Sequence, residues 1–379
     1  MNNVNQVLKI GDIIQDDVYT AGKVLLLKKG TVITQPLLYG LERFDCDFNS
    51  IDIIVEREGV ISQVAGMTAP QPDNAPAAQQ DESIVFSDKL KHDAVEAAKQ
   101  LFAADANLRE VSETAVNISN DIANNIILAG SDARLCIQDL RVTDEYTYQH
   151  SVDVGVLAAQ LVKSLGMPPK WISEAAQAGV LHDIGKRRVP PEILNKPGML
   201  TDEEFKIMKL HPVFAEEDLH LIKGVSEAAK AGAYEHHEKL DGTGYPRGLK
   251  GAGISRIAQI LAIADVYDAL TSKRVYKPGM SSARAVNIMM GMIGGFNRDY
   301  FVTFLKSLIL YPTGSRVLGT DGRSYVVYKQ NPQSPMHPFL LDELSGNIID
   351  VSQSGADNVA IFGEDCEEMR LKWQEGRNK

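Results

Sequence analysis

The sequence predicts a mainly α-helical protein with a small mixed α/β domain at its N-terminal end and a short β-rich extension at its C-terminal end. Three observations support this fold class. Apolar residues recur at helical spacing from about residue 84 to residue 312, short strand-like runs precede this region, and a hairpin pattern follows it. The chain has 379 residues, of which 44% are hydrophobic and 23% are charged. This composition is typical of globular proteins, and the length is sufficient for two or three domains.

Residues 1–65 are predicted to form an N-terminal regulatory domain of mixed structure. Two apolar runs, at residues 23–27 and 31–33, flank a Lys-Lys-Gly turn and indicate two strands. Thr34 is suited to cap a short helix that follows these strands, and residues 50–55 indicate a further strand. We identify no phosphoacceptor pattern in this domain, so its input signal is not predicted.

A flexible linker and a long helical region are predicted next. Residues 66–83 are rich in Pro, Ala, Gln and Asp and have no apolar periodicity, which is typical of a linker. Residues 84–312 follow a helical pattern. The first two helices are predicted from apolar residues spaced three or four apart, which are Phe86, Leu90, Ala94, Ala97 and Leu101, and then Val111, Ala115, Ile118, Ile122 and Ile126.

Capping signals place further helix starts within this region. Thr201 and Glu204 have the spacing of a capping box, and the helix that begins there is predicted to carry His211 near its end. Because the residue before a proline is disfavoured in helical geometry, His211 should be the residue at which this helix ends. Ser281 is predicted to start a later helix.

Residues 313–379 are predicted to be a β-rich extension with a charged tail. Runs at residues 315–318 and 324–328 flank Thr-Asp-Gly, which indicates a hairpin. Residues 339–341 and 347–349 indicate two more strands, and the residues from Glu364 onward are largely charged.

Composition also limits the location and partners of the protein. The net charge of −11 argues against general nucleic-acid binding. The three cysteines form no CxxC pair, which argues against a disulfide framework and favours a reducing, cytoplasmic location. We find no signal-peptide pattern and no apolar run that approaches the roughly 18 residues of a membrane span.

The chain contains an ordered series of residues suited to binding metals. Six of the eight histidines lie within about a third of the sequence, together with acidic residues. Histidine and carboxylate together suit first-row transition metals, and this set is larger than one tetrahedral site requires. Two metals that share a bridging carboxylate are therefore indicated, as in phosphoester hydrolases. The candidates are His150, His182, Asp183, His211, His236, His237 and Asp265.

Each candidate has an alternative to a ligand role when it is considered alone, and the ordered set as a whole favours metal binding. His150 is predicted to lie two turns into a helix capped by Thr143, where an isolated histidine is more often simply packed or solvated. His182 and Asp183 end an apolar helix, where a charged pair needs a bound partner. Asp265 lies within a very apolar helix, in which it is either a ligand or a buried carboxylate satisfied by hydrogen bonds.

His236 and His237 impose a further geometric condition. Adjacent residues on a straight helix point about 100° apart, so both can bind one metal only where the helix ends or distorts. The following residues 240–246 contain two glycines and a proline, which predict such an ending.

Three ordered motifs resemble the signatures of the HD-GYP family. These are His-Asp-Ile-Gly-Lys at residues 182–186, His-His-Glu-Lys-Leu-Asp-Gly-Thr-Gly-Tyr-Pro at residues 236–246, and Ala-Asp-Val-Tyr-Asp-Ala-Leu-Thr-Ser at residues 264–272. The resemblance covers roughly residues 120–312. It implies a helical HD-domain core, a catalytic domain at residues 84–312, and hydrolysis of the bacterial messenger cyclic di-GMP.

The resemblance also implies how the ligands are shared between two divalent metals, iron or manganese. His150, His182, Asp183 and Asp265 would bind one metal, and Asp183, His211, His236 and His237 would bind the other. Some family members hold a third metal through a glutamate four residues before the first histidine, but Tyr146 occupies that position here. We therefore predict two metals, with Asp183 bridging them.

Further roles follow from the same resemblance. Lys186 is expected to act in catalysis beside Asp183, by stabilising charge on the phosphoryl oxygens of the substrate. Arg274 and Lys277 are expected to bind the substrate together with Lys186, although Val275 departs from the usual family pattern. The loop of Gly244, Tyr245 and Pro246 is either a docking surface for diguanylate cyclases or only the ending of the histidine-bearing helix.

Two alternatives to a cyclic di-GMP phosphodiesterase remain open from the sequence. One is a sensor that binds the ligand without cleaving it, and the other is a phosphodiesterase for a mixed cyclic dinucleotide such as cyclic GMP-AMP. The product, linear pGpG or GMP, is not predicted. The long helices at residues 84–130 are compatible with a homodimer.

Overall fold

The computed structural model describes residues 18–19, 25–27, 83–140, 146–272, 279–353, 359–364 and 369–370. The chain divides into two compact units, Met1–Pro76 and Ala77–Lys379. In the first unit, strands β1 (Val18–Tyr19) and β2 (Leu25–Leu27) pair in antiparallel fashion. β2 confirms part of the strand predicted at residues 23–27, whereas β1 was not predicted. The other elements predicted for residues 1–65, and nearly all of the linker, lie outside the described residues.

The second unit is mainly helical, as predicted. Its α-helices are α1 (Asp88–Phe102), α2 (Ser112–Leu128), α3 (Tyr146–Ser164), α4 (Pro169–Leu181), α5 (Pro191–Leu194), α6 (Asp202–Met208), α7 (His211–Leu219), α8 (Glu227–Glu235), α9 (Arg256–Thr271), α10 (Ser282–Met290) and α11 (Arg298–Lys306). Short 3₁₀ helices lie at Ile137–Leu140, Ile184–Arg188, Gly251–Gly253 and Ile293–Gly295. No helix in the described ranges is long and apolar enough to cross a membrane.

Side-chain caps explain where several helices begin. The Ser87 hydroxyl accepts a hydrogen bond from the Leu90 amide, so α1 starts after Ser87 and the predicted helical residue Phe86 lies just outside it. Thr201 and Glu204 form the predicted capping box at the start of α6. Ser281 is the N-cap of α10, which confirms the helix start predicted there.

The prediction that His211 ends the capping-box helix is wrong. α6 ends at Met208, and His211 is the first residue of α7 with Pro212 in its first turn. Proline is tolerated in a first turn because the amide it lacks would have no intrahelical acceptor there. The proline therefore marks the start of a helix here, and the preceding histidine occupies a helix N-terminus.

Helices α3 and α4 approach closely because glycine faces glycine at their crossing. A Cβ added to Gly179 would lie 2.4 Å from the Gly155 Cα and 2.6 Å from the Gly155 nitrogen. Buried alanine, valine and leucine side chains continue the same contact along both helices, including Leu157, Ala158, Ala175 and Val180. The crossing fixes α3 and α4 against each other without space for a further methyl group.

The C-terminal part of this unit is a five-stranded antiparallel sheet in the order β6-β5-β4-β3-β7. Its strands are β3 (Arg316–Gly319), β4 (Ser324–Lys329), β5 (Phe339–Leu341), β6 (Ile348–Asp350) and β7 (Ile361–Glu364). The hairpin prediction is confirmed, with Val317 opposite Tyr325 and Gly322 at a φ of 82° in the turn. The two further predicted strands are also present as β5 and β6, whereas β7 was not predicted.

The sheet and the helices share one hydrophobic core. Val317, Tyr325, Val327 and Leu340 are buried in the same cluster of side chains as the helical residues. The Gln330 side-chain amide, just after β4, donates to the Tyr311 carbonyl that follows the last helix. The β-rich extension is therefore packed onto the helical region.

We expect Gly179→Ala to destabilise the protein, because the new methyl group would force α3 and α4 apart. Overpacking of this kind costs about 1–3 kcal/mol, and urea-induced unfolding measures it. Gly294→Ala is the matched control, since a Cβ at Gly294 meets nothing within 4 Å. Equal unfolding free energies for the two variants would contradict the role of this crossing.

Candidate metal centre

The structure brings the seven predicted metal ligands together from five helical segments. His150 lies in α3, His182 and Asp183 follow α4, His211 begins α7, His236 and His237 follow α8, and Asp265 lies in α9. The ring centroid of His182 lies 5.2 Å from that of His150 and 4.9 Å from that of His236. His211 lies 5.4 Å from His236 and 5.0 Å from His237 in the same measure. These side chains are mostly buried, so their polar atoms face one another rather than solvent.

Asp183 occupies the middle of this group. Its Oδ2 atom lies 3.2 Å from the His182 Nε2 and 3.7 Å from the His150 Nε2. Its Oδ1 atom lies 3.3 Å from the His211 Nε2 and 4.0 Å from the His236 Nε2. Each carboxylate oxygen thus faces a different group of histidines, which is the arrangement that a bridging carboxylate needs.

The turn that carries Asp183 is tightly held. Asp183 is the N-cap of the 3₁₀ helix Ile184–Arg188, and a Cβ at Gly185 would lie 2.0 Å from the His211 carbonyl oxygen. Arg187 of the same turn donates to the carbonyls of Ala103, Ala104 and Ala106 beyond the end of α1, at 3.1, 2.8 and 3.1 Å. Glycine permits the close approach to α7, and the guanidinium fastens the turn to α1.

Three histidine rings are oriented by backbone carbonyls three residues earlier in the chain. The Nδ1 atom of His182 lies 2.7 Å from the Gly179 oxygen, that of His211 lies 2.8 Å from the Met208 oxygen, and that of His236 lies 2.7 Å from the Ala233 oxygen. A carbonyl only accepts, so in each ring Nδ1 carries the hydrogen and Nε2 presents a lone pair. This is the tautomer in which imidazole binds a metal through Nε2.

The lone pairs that face inward fit a cation. The Nε2 atoms of His211 and His236 lie 3.4 Å apart. Two lone pairs at that distance repel each other unless a proton or a metal ion lies between them. The His182 Nε2 and the Asp183 Oδ1 are both buried, and neither has a hydrogen-bond donor among the residues that the structure describes. Buried acceptors without donors are unfavourable, and bound metal ions would satisfy them.

The protonation states of the side chains around His211 also favour metal binding. Burial lowers the pKa of His211 to about 3 and that of His237 to about 4. Burial also lowers the pKa of His236 well below its usual value. Although burial opposes ionisation of Asp183, the nearby His182 and Lys186 hold its pKa well below the usual value. Neutral imidazoles around an ionised carboxylate are the forms that bind metals.

His150 occupies a different electrostatic environment. Burial opposes its protonation, but contacts with Asp265 and Asp268 outweigh this effect and raise its pKa to about 10. Its Nε2 lies 3.3 Å from the Asp265 Oδ1. A metal bound at Nε2 would replace the proton there and take over the interaction with the carboxylates.

The predicted ligands fall into two compact groups with Asp183 between them. In one group the binding atoms of His211, His236 and His237 lie within 4.8 Å of one another, and in the other the same holds for His150, His182 and Asp183. Asp265 lies beside the second group through its contact with His150. This arrangement agrees with the predicted division of ligands, which stays a prediction.

Asp268 is a buried partner of His150 that the sequence did not reveal. It is fully buried, its Oδ2 lies 2.7 Å from the His150 Nδ1, and the Ser272 hydroxyl lies 2.9 Å from both of its oxygens. The spacing of Asp265, Asp268 and Ser272, three and then four residues apart on one helix face, was the available signal.

Lys186 pairs with the central carboxylate and is partly open to solvent. Its Nζ forms an ion pair with the Asp183 Oδ2, and about a quarter of its side chain is exposed to solvent. The lysine is therefore at the accessible edge of an otherwise buried centre. Its predicted catalytic role stays a prediction.

The loop of Gly244, Tyr245 and Pro246 packs against the histidine-bearing end of α8. The Tyr245 amide donates to the His237 carbonyl at 3.1 Å, and the two ring centroids lie 4.7 Å apart. A Cβ at Gly244 would lie 2.4–2.5 Å from backbone atoms of residues 237–239, so only glycine fits. These contacts support the interpretation that the loop shapes the centre, whereas the docking interpretation stays a prediction.

Some predictions concern residues that the structure does not describe. The substrate-binding candidates Arg274 and Lys277, the predicted N-cap Thr143 and the side chain of Tyr146 all lie outside the described residues. The described part of α3 begins at Tyr146, which places His150 about one turn from that point.

Comparisons with known proteins agree with the geometry. The HD domain family matches residues 134–299. A Pseudomonas aeruginosa protein named cyclic di-GMP phosphodiesterase PA4108 is 38% identical over 79% of this chain and 76% of that protein. A Vibrio cholerae protein named 3'3'-cGAMP-specific phosphodiesterase 1 is 40% identical over 42% of this chain, and the chain spans 37% of its length. A Thermotoga maritima protein named cyclic di-GMP phosphodiesterase is 36% identical over 45% of this chain and 48% of that protein.

We expect Asp268→Asn to weaken metal binding about tenfold, since outer partners of ligating histidines typically contribute 10–100-fold to metal affinity. The substitution keeps the shape of the side chain and removes the charge that supports His150. Competition between the protein and a chelator for Mn²⁺ measures the affinity. Asp299→Asn, at an exposed position in α11, is the matched control. Unchanged Mn²⁺ affinity in Asp268→Asn would refute the orienting role.

Proposed function

Because this chain belongs to the HD-domain family that includes cyclic di-GMP phosphodiesterases, we propose that it hydrolyses cyclic di-GMP at the centre around Asp183. One observation carries the site assignment. The two oxygens of Asp183 face two groups of histidines, and buried acceptors at their junction have no donor among the described residues. This donor set suits a metal-dependent phosphohydrolase.

The proposal includes two divalent metal ions, iron or manganese, per chain. His150, His182, Asp183 and Asp265 would hold one ion, and Asp183, His211, His236 and His237 would hold the other. When bound, such ions polarise the phosphate and lower the pKa of water that attacks it. Mixed imidazole and carboxylate ligands are compatible with both metals.

The remaining chemistry belongs to residues of the chain itself. The Asp268 carboxylate holds the His150 ring in place through a hydrogen bond with the His150 Nδ1 atom. Lys186 pairs with Asp183 and, from its partly exposed position, would stabilise negative charge on the phosphoryl oxygens. The surrounding burial keeps these charges away from bulk water, which strengthens their action. Arg274 and Lys277 stay our candidates for further contacts with the substrate.

A second candidate substrate is a mixed cyclic dinucleotide. The support is the Vibrio cholerae relative whose name specifies 3'3'-cGAMP and whose identity in the shared region, 40%, is comparable with that of the cyclic di-GMP enzymes. We favour cyclic di-GMP because the Pseudomonas aeruginosa relative, which is aligned over 79% of this chain, carries that name. The alternative that is not an enzyme is a sensor that binds the ligand without cleaving it.

Partners and location form a further part of the proposal. Diguanylate cyclases would dock on the loop of Gly244, Tyr245 and Pro246, where Lys209 lies over the Tyr245 ring at 5.5 Å. A homodimer and a cytoplasmic location complete the proposal. The location rests on the three cysteines, which form no CxxC pair and favour a reducing compartment.

The direct test incubates the full-length protein, loaded with Mn²⁺ or with Fe²⁺ under anaerobic conditions, with cyclic di-GMP or 3'3'-cGAMP. Separation of the products is expected to show faster loss of cyclic di-GMP and to identify pGpG or GMP. Elemental analysis is expected to give about two metals per chain. Tight binding without cleavage under either metal would favour the sensor, and about three metals per chain would contradict the two-metal prediction.

We expect Lys186→Ala to lower the turnover number about 100-fold, as loss of one donor to a developing oxyanion does in other enzymes, while metal content stays near that of the wild type. Steady-state kinetics and elemental analysis on the same preparation measure both quantities. Lys206→Ala, an exposed lysine of α6, is the matched control. A parallel loss of metal and turnover would assign Lys186 to metal binding through Asp183 instead.

A further inference from the structure

Arg187 carries a charged side chain that lies close to the metal centre and is largely shielded from solvent. Only 9% of the side chain is exposed. The residue belongs to the 3₁₀ helix Ile184–Arg188 and follows Asp183 by four positions. A shielded guanidinium is costly unless its N–H groups find acceptors. The acceptors that it finds therefore show which parts of the fold Arg187 joins.

The guanidinium connects the turn that carries Asp183 to two other elements. Its Nε and Nη2 atoms donate to three carbonyls just beyond the last residue of α1. Its Nη1 atom lies 3.8 Å from the Asp218 Oδ2 in α7, which is the helix that begins with His211. Because all three nitrogens are engaged in this way, Arg187 is not available to a bound substrate and instead joins α1, the turn and α7.

The same end of α1 also contacts the helix that carries His150. The ring of Phe102, the last residue of α1, packs edge-on against the Tyr148 ring, with the two centroids 6.2 Å apart. Phe102 is buried, and Tyr148 lies two residues before His150 in α3. Elements from both sides of the metal centre therefore meet the end of α1, the turn through hydrogen bonds and α3 through a ring contact.

We propose that Arg187 is a positioning residue that couples the end of α1 to the metal centre. The inference rests on the part of the proposed function that assigns metal ions to this centre. A planar guanidinium makes hydrogen bonds in fixed directions, so the position of the α1 end sets that of the turn and of the Asp183 carboxylate. A displacement of α1, the first helix after the predicted linker, would reach the centre by this route.

Coupling of this kind acts in both directions. If the position of the α1 end changes the affinity for metal, then bound metal must stabilise the α1 end by the same free energy. A merely structural contact behaves differently, because its loss lowers the thermal stability and leaves the metal affinity of the folded protein unchanged. Metal affinity and local opening of α1 therefore distinguish positioning from simple support.

The test compares Arg187→Met with Arg188→Met in the full-length protein and uses competition with a chelator to measure Mn²⁺ affinity. Methionine keeps an unbranched apolar stem and removes the N–H donors. Arg188 is the matched control, since it lies in the same turn, pairs with Glu217 at 2.6 Å and has a side chain that is 39% exposed.

Arg187→Met is expected to weaken Mn²⁺ binding about tenfold, as loss of the outer partners of metal ligands does. Arg188→Met should bind Mn²⁺ like the wild type. Equal Mn²⁺ affinities for the two variants, each measured where circular dichroism shows the protein folded, would overturn the proposal.

Hydrogen exchange at residues 103–108 supplies a readout that a structural role would not change. The amide of Ala106 is held by the Ala103 carbonyl, so its exchange reports opening at the end of α1. Mn²⁺ is expected to slow this exchange in the wild type and in Arg188→Met, but not in Arg187→Met. The same exchange rate with and without Mn²⁺ in the wild type would contradict the coupling.

Arg187→Lys keeps the test decisive if Arg187→Met does not fold. Lysine retains a positive charge opposite Asp218, but one ammonium group does not span the three carbonyls as the planar guanidinium does. This variant is expected to fold and to bind Mn²⁺ several-fold more weakly than the wild type. Wild-type Mn²⁺ affinity in Arg187→Lys would refute the positioning role.

The possible outcomes separate this inference from the proposed activity. A wild type that binds Mn²⁺ and cleaves no cyclic dinucleotide would contradict the proposed hydrolysis, and both binding readouts would still decide the coupling. Hydrolysis by the wild type together with unchanged Mn²⁺ affinity in the Arg187 variants would refute the coupling alone. A wild type that binds no Mn²⁺ would refute both.

Discussion

The position of the Asp183 carboxylate is the constraint on which the rest of this structure depends. One buried side chain must face histidines from α3, α7 and α8 as well as its neighbour His182. Burial of so many polar groups is costly unless each has a partner of opposite character. The glycine crossing of α3 and α4, the tight turn at Gly185 and the guanidinium of Arg187 all hold this turn in place. Much of the packing therefore serves to position a single carboxylate.

Three histidine rings contact the last carbonyls of helices and also present nitrogen atoms that can bind a metal. The last carbonyls of a helix have no intrahelical donors, and those of Gly179, Met208 and Ala233 belong to the last turns of α4, α6 and α8. The rings of His182, His211 and His236 lie within hydrogen-bond distance of these carbonyls. The same bonds that satisfy the helix ends select the tautomer that can bind a metal. Helix termination and ligand preparation are thus one local event at each of these three histidines.

This local character explains what the sequence could and could not predict. The ends of α4 and α8 were predictable because glycine, proline and apolar periodicity are local signals, and the hairpin at Gly322 was predictable for the same reason. The start of α7 at His211 was missed because a proline can follow the end of a helix or lie in its first turn. Only the three-dimensional structure distinguishes the two cases. The role of Asp268 was missed because its partner His150 is 118 residues away, on a helix whose packing the sequence does not specify. Strand β7 was missed because its partner β3 is also distant in the sequence, with Val317 opposite Glu364.

The shared core of the helices and the C-terminal sheet has a practical consequence for dissecting the molecule. Tyr311 ends the helical region, yet its carbonyl accepts the amide of Gln330, and Val317 and Tyr325 are almost completely buried. A fragment truncated at residue 312 would expose this apolar surface to water and invite aggregation. Low solubility or low turnover of such a fragment would then report a damaged core rather than the intrinsic capacity of the metal centre.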